Sequence, residues 1–270
     1  MININNLEFN YKNGNKVLKD VNLTINDGEF ISIIGKNGTG KSTLGRLIAG
    51  LMKPTNGTIF IDELDSSDKK NFMKIREKIG VVFQNPENQL LFNNVYDELS
   101  FGLKNLKKDA IDERIDESLA MVGMRELKNE EIYNMSLGQK QRIAIAEAIS
   151  LSPKYLIFDE PTTMLDSMGK EDVHIIVKAL KKAGYTIIYI TNMADEILLS
   201  DRIILLDKGN ISFELKKNDI LKNVDLLKDY GVKIPTLIYL IMELRKKGIN
   251  IEPENFEIKD VVNEIVKLKG

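Results

Sequence analysis

At 270 residues, 43% apolar and 29% charged, the chain is long enough for one large domain with a substantial core and has a globular balance. It has no cysteine and a single histidine, His174, which excludes a disulfide framework, a thiol nucleophile and a histidine-rich metal site. A net charge of −2 gives no general attraction for nucleic acid, and no apolar run nears bilayer length, LIYLIM (237–242) being far too short.

The opening MININNLEFN has no basic head followed by an apolar stretch, so no signal peptide is expected, and the lack of cysteine fits a cytoplasmic protein. Strand-like pieces then alternate with turn chemistry: INNLEF, KNGN, KVLKDVNLTI, NDGE. FISIIG (30–35) is a short apolar run ending at glycine, as a buried strand would be. A helix is expected from about Lys41 to Leu51, then a turn at PTNG (54–57), the strand TIFID and another buried strand, IGVVFQ (79–84). A mostly helical region follows from about Pro86 to Ser150. YLIFDE (155–160), TIIYIT (186–191) and RIILLD (202–207) are further strands, and helix-like segments adjoin the first two. Such alternation implies a parallel, doubly wound α/β sheet, whose ligands sit at the carboxyl ends of the strands. Gly35, Asp159 and the pair Thr191-Asn192 all fall there. After about residue 215 apolar residues recur at helical spacing, as at Ile258, Val261, Val262 and Ile265. These helices either pack on their own domain or form a dimer contact; periodicity fits both.

Three segments carry chemistry. GKNGTGKST (35–43) matches G-x-x-x-x-G-K-[ST] between a strand and a helix. There the N–H groups from Asn37 to Ser42 can converge on phosphate oxygens, Lys41 can neutralise the β- and γ-phosphates, and Ser42 can hold Mg2+. The plain alternative is a glycine-rich turn. YLIFDEP (155–161) ends a buried strand in two carboxylates, either a solvated turn or a catalytic pair. In the catalytic reading Asp159 serves Mg2+ and Glu160 orients or deprotonates an attacking water. MSLGQKQRIAIAEAIS (135–150) opens a helix with Ser136 as its cap and Gly138 leaving the backbone bare, which is an anion-binding end or simply a capped amphipathic helix.

Together these segments, in order and spacing, resemble the ATP-binding subunit of ATP-binding-cassette (ABC) transporters over about residues 1–215. The resemblance implies a P-loop NTPase fold: a parallel-sheet core, an N-terminal antiparallel β part, an inserted helical subdomain at about 86–150 and a helical extension over 216–270. It implies that Tyr11 stacks on adenine. Gly35, Lys36, Asn37, Gly38, Thr39, Gly40, Lys41, Ser42 and Thr43 then form the Walker A loop. Gln84 of VVFQNP becomes the Q-loop glutamine that senses the γ-phosphate and Mg2+. Ser136, Leu137, Gly138 and Gln139 form the signature, Asp159 and Glu160 the Walker B end, and Asp166 the D-loop. The stretch VVFQNPENQLLFNNVYDELSFGLKNL and the form EPTTMLD are similar to the first ATPase of energy-coupling factor (ECF) importers of vitamins and metal ions. That likeness implies two ATPases paired head to tail at the cytoplasmic face of the membrane. Each ATP would lie between one chain's Walker A loop and the other's signature. A membrane coupling protein would dock near the Q-loop, and a separate membrane protein would capture the substrate.

Two positions depart from the pattern. Leu137 stands where the first signature glycine is usual. Asn192 stands where a switch histidine usually hydrogen-bonds the γ-phosphate, and His174 cannot take that role, since it lies in the helix-like segment after Asp166. An asparagine amide can still donate one hydrogen bond to a phosphate oxygen but carries no positive charge and is shorter. Losing a positioned donor typically costs on the order of 10²–10³ in rate. This chain's Walker A site is therefore expected to bind Mg-ATP and hydrolyse it slowly. Competing readings are a soluble ABC protein of DNA repair or translation, another P-loop class such as a GTPase, or a regulatory binder. No second cassette, long coiled coil or N-K-x-D element favours the first two, and Glu160 opposes the third.

Overall fold

The computed structural model describes residues 1–12, 14–253 and 256–267; Asn13 of the KNGN turn and Leu268 of the final apolar pattern lie outside them. Four strands form an antiparallel sheet ordered β2-β1-β4-β5, from β1 (Ile2–Asn10), β2 (Lys16–Ile25), β4 (Asn56–Ile61) and β5 (Leu64–Asp65). The larger sheet is ordered β10-β9-β3-β8-β7-β6. Its strands are β3 (Phe30–Ile34), β6 (Ile79–Val82), β7 (Tyr155–Asp159), β8 (Thr186–Ile190), β9 (Arg202–Asp207) and β10 (Asn210–Lys216). All neighbours pair parallel except β10, which runs antiparallel to β9.

Every residue of β3, β7 and β8 is buried, which explains why these strands read as unbroken apolar runs. Alternate side chains enter two cores. Ile31, Ile33, Ile157 and Ile188 pack with Leu44 and Leu47 of helix α1 (Lys41–Ile48). Phe30, Leu156, Phe158 and Tyr189 pack on the other face with helices α5 (Leu137–Ser150) and α6 (Ser167–Lys182). Helix α2 (Phe72–Lys78) precedes β6, while α3 (Val95–Asn105), α4 (Ile111–Met121) and α5 form the helical insert. Asn94 caps α3 and Asp166 caps α6, each accepting the N–H three residues on.

After β10 the chain forms α7 (Val224–Asp229), α8 (Thr236–Lys246) and α9 (Ile258–Lys267). Their apolar side does not make a separate core. Val224, Ile238, Ile241 and Val261 pack on Ile34, Ile197, Ile203 and Leu205 of the sheet and its flank. Of the four positions read as one face of the last helix, Val261 and Ile265 pack inward while Ile258 and Val262 stay exposed. Among the described residues no helix is long and apolar enough to cross a membrane.

Candidate functional site

The loop from β3 to α1 turns on Gly35, Gly38 and Gly40, with φ of 150°, 80° and 106°. A Cβ on Gly35 would stand 2.2 Å from the Leu206 carbonyl oxygen, so the position admits only glycine. Gly40 caps α1 without any side-chain bond, leaving the first N–H groups of the helix available to an anion. Lys41 is 4% exposed, and its Nζ donates to the carbonyls of Gly35 at 2.9 Å and Lys36 at 3.2 Å. The Thr39 hydroxyl donates to the same Lys36 carbonyl at 2.9 Å. Burial lowers the Lys41 pKa, opposed by the charges of Glu160 and Asp159. The result is a cation folded back into its own loop and held by backbone carbonyl oxygens.

The acidic strand end lies directly across. Ser42 Oγ donates to Asp159 Oδ1 at 2.7 Å. Burial pushes the Asp159 carboxyl up, opposed by the Ser42 bond and then by the charges of Arg46 and Lys41. A hydroxyl beside a buried carboxylate is the hard oxygen set that suits Mg2+, and a cation there would favour the charged carboxylate. Among the described residues no three His, Cys, Asp or Glu groups could hold an ion by themselves, so phosphate oxygens and water would complete its shell.

Glu160 adopts φ 51°, a conformation strained for a residue with a side chain. Its N–H donates to the Ile190 carbonyl at 2.9 Å, its Oε2 accepts from the Thr163 hydroxyl at 3.2 Å, and its Oε1 stands 4.0 Å from Lys41 Nζ. The parallel register delivers this geometry: Asp159 pairs with Ile190 and Ile33 pairs with Ile190, so three strand ends level at one edge.

Gly40, Lys41, Ser42 and Glu160 line a cleft of about 490 Å³, with Asp159 behind Ser42. Gln84, Tyr11, Asn37, Gly38 and Thr43 line it as well. The Tyr11 hydroxyl lies 3.1 Å from Thr43 Oγ1, and its ring meets Phe9 edge to face at 5.0 Å. Asn192 is exposed at the tip after β8, and its Nδ2 donates to Asn37 Oδ1 at 3.4 Å. The tip therefore reaches the phosphate loop.

Ser136, Gly138 and Gln139 are not brought into this cleft. They form a reciprocal cap on α5: Gln139 N–H donates to Ser136 Oγ at 3.3 Å, and Ser136 N–H donates to Gln139 Oε1 at 2.9 Å. His174 is a satisfied helix residue, half-buried with Nε2 3.0 Å from Glu196 Oε1. Sequence reasoning missed Asn15 and Val17, which also line the cleft, because nothing in a strand and turn marks them. It also passed over Thr162 and Glu196, which meet with Thr191 beneath the site, two hydroxyls on one carboxylate. An acid four residues beyond Asn192 was the one available hint.

A family model described as ABC transporter matches residues 18–163. The chain is 40% identical over 276 residues to the energy-coupling factor transporter ATP-binding protein EcfA1 of Clostridium novyi, across 100% of this chain and 99% of that protein. Its fold matches the structure of cbiO1 from Clostridium perfringens, described as part of the ABC transporter complex cbiONQ. That match has a TM-score of 0.76 at 35% identity, covering 90% of this chain and 98% of that one. It also matches the dimeric post-hydrolysis structure of the ATP-binding cassette MJ0796 with ADP and Pi, at TM-score 0.73 and 33% identity over 80% and 99% of the two chains. A phosphate cradle, a hydroxyl–carboxylate pair and a likeness running the length of the chain converge: the chain belongs to the ABC transporter family, as an ATP-binding and ATP-hydrolysing cassette of the energy-coupling factor group.

Proposed function

We propose that this cassette, with Mg-ATP as substrate, energises an ECF-type importer of vitamins or metal ions as a peripheral subunit on the cytoplasmic face of the membrane. Its partners are a second, different ATPase, a membrane coupling protein and a membrane protein that captures the solute. The observation that carries the reading is the separation of Ser136–Gln139 from this chain's own cleft, which leaves a site that a facing cassette must complete. The name borne by the Clostridium novyi relative supports the transporter class.

In this reading the cassette spans 1–215, with its helical insert over about 86–150, and the extension spans 216–270; the end of β10 at Lys216 supports the boundary. Tyr11 stacks on the adenine. The loop Gly35–Thr43 binds the phosphates, Lys41 neutralises them, and Ser42, Asp159 and Gln84 serve the magnesium ion. That ion, when bound, withdraws charge from the transferring phosphoryl group. Glu160, held in place by its strained backbone and Thr163, accepts the proton of the attacking water.

A second cleft of about 460 Å³ supports docking of the coupling protein near Gln84. Its apolar walls include the exposed Phe72, Met73, Leu91 and Phe101, and Phe83, next to Gln84 in the chain, lines it as well. Glu160→Gln in the assembled transporter should keep Mg-ATP binding and cut hydrolysis at this site by about 10²-fold or more. Lost binding or undiminished hydrolysis would overturn the assignment of Glu160.

The amide of Asn192 supports slow turnover at this site, because one of its two N–H donors is engaged by Asn37 and it brings no positive charge. Asn192→His should then raise the rate of the assembled transporter. An unchanged rate, together with a crippling Glu160→Gln, rejects the asymmetric picture.

A further inference from the structure

Beneath the nucleotide end of the sheet lies a buried carboxylate that no step above employs. Glu196, 2% exposed, belongs to the short segment Ala194–Leu199 that follows the Asn192 tip. Its Oε1 accepts from the Thr162 hydroxyl, two residues past Glu160, and its Oε2 accepts from the Thr191 hydroxyl, next to Asn192. His174 on α6 brings Nε2 to 3.0 Å from Oε1. The Thr191 oxygen in turn accepts the Met193 N–H at 2.9 Å, closing a turn around Asn192. Two loops and a helix thus meet on one side chain.

Burying a carboxylate is costly unless its oxygens are satisfied. Here burial works to raise the pKa, but the bonds from His174, Thr162 and Thr191 outweigh it and hold the group below its usual range. The carboxylate stays charged, offers only acceptors, and commits both threonine protons to itself. Glu160 needs such support, because a left-handed backbone persists only where its surroundings enforce it.

We infer that Glu196 is a positioning residue for ATP hydrolysis, fixing the Glu160 loop against the Asn192 loop through the two threonine hydroxyls. The inference rests on the assignment of Glu160 and Asn192 to the reaction. A clamp that served stability alone would lose turnover, nucleotide affinity and melting temperature together. A positioning residue loses kcat while affinity and fold remain.

The test uses the assembled transporter with the partner cassette's catalytic carboxylate replaced by glutamine, so that turnover lost on Glu160→Gln belongs to this site. Glu196→Gln should lower that turnover by about tenfold to a hundredfold, the range expected when reacting groups shift by about 1 Å. The affinity for Mg-ATP should stay within about twofold, a change too small to register as lost binding energy. Thr162→Val and Thr191→Val, which keep shape and remove the hydroxyl, should each lower kcat, and Thr191→Ser should restore it. In the double valine background Glu196→Gln should have little further effect on kcat. Should Glu196→Gln fail to fold, the contrast between Thr191→Val and Thr191→Ser decides the matter. Undiminished kcat in the valine variants, or a loss of affinity and melting temperature in step with kcat, overturns the inference. Absence of any Glu160-dependent turnover overturns it together with the assignment it rests on, whereas the other failures leave that assignment standing.

Discussion

Single atoms decide the nucleotide site. A methyl group on Gly35 would meet the Leu206 carbonyl at 2.2 Å, and β9 cannot retreat without breaking its pairing with β3. Gly35→Ala is therefore expected to abolish nucleotide binding and to destabilise the fold by about 2 kcal/mol or more, measurable by nucleotide titration and urea unfolding. A second residue sets a pH dependence. Glu147 stands half-buried in the wall of the groove lined by Phe72 and Phe101, where burial, opposed by the Gln89 bond and aided by Glu98, pushes its carboxyl up to about 7. The unfolded chain releases that proton near 4.5, so the folded state binds more protons between about 4.5 and 7. Stability should fall as pH rises through that window. Glu147→Gln, whose oxygen can still accept the 2.9 Å bond from Gln89, is expected to be more stable at pH 8 by about 1–3 kcal/mol. The gain should vanish near pH 4, as unfolding curves at the two pH values would show. Motif residues were legible because their chemistry is local: Lys41 and Ser42 are neighbours, as are Asp159 and Glu160. The meeting of Thr162, His174, Thr191 and Glu196 was not, because only the register of β7 and β8 and the packing of α6 bring them together.

At the scale of elements, burial on both faces made β3, β7 and β8 visible from composition alone. Helix α2 escaped notice because a single residue, Ile75, is buried while Phe72 and Met73 face outward. Strand β10 did carry a signal, Ile211, Phe213 and Leu215 alternating with polar residues, but its polar partners concealed how shallowly the strand is covered. Helix α5 joins structure to chemistry at its first turn. Ser136→Ala removes one half of the reciprocal cap and should cost about 1 kcal/mol of stability. Ser136→Asp preserves an acceptor for the Gln139 N–H while placing a negative charge at the helix entrance. If the entrance faces the phosphates held by a second cassette, the aspartate variant should melt normally and still fail to support turnover in the assembled transporter. Equal turnover by the two variants would leave Ser136 a cap and nothing more.

Across the whole molecule, the extension is a continuation of the cassette rather than a module beside it. Ile34, Ile197, Ile203 and Leu205 are covered by residues from after Lys216, among them Ile220, Val224, Ile238 and Ile241. Removing residues 217–270 would uncover that face, and the shortened chain is expected to aggregate and bind a hydrophobic dye where the full chain does not. Soluble expression with unchanged melting would show that the face tolerates water. Polar bonds add to the attachment, among them those of Asp195. Asp195 accepts the Thr236 N–H at 2.6 Å and the Thr236 hydroxyl at 3.2 Å, so it holds the first turn of α8. Its neighbour in sequence, Glu196, looks the opposite way, into the interior. Adjacent residues thus grip the tail on one side and the loops after β7 and β8 on the other, like the two ends of a short crank. If Glu196 does position the reacting loops, a partner that seizes α8 and shifts Asp195 would also shift the residue beside it and so alter the rate of hydrolysis.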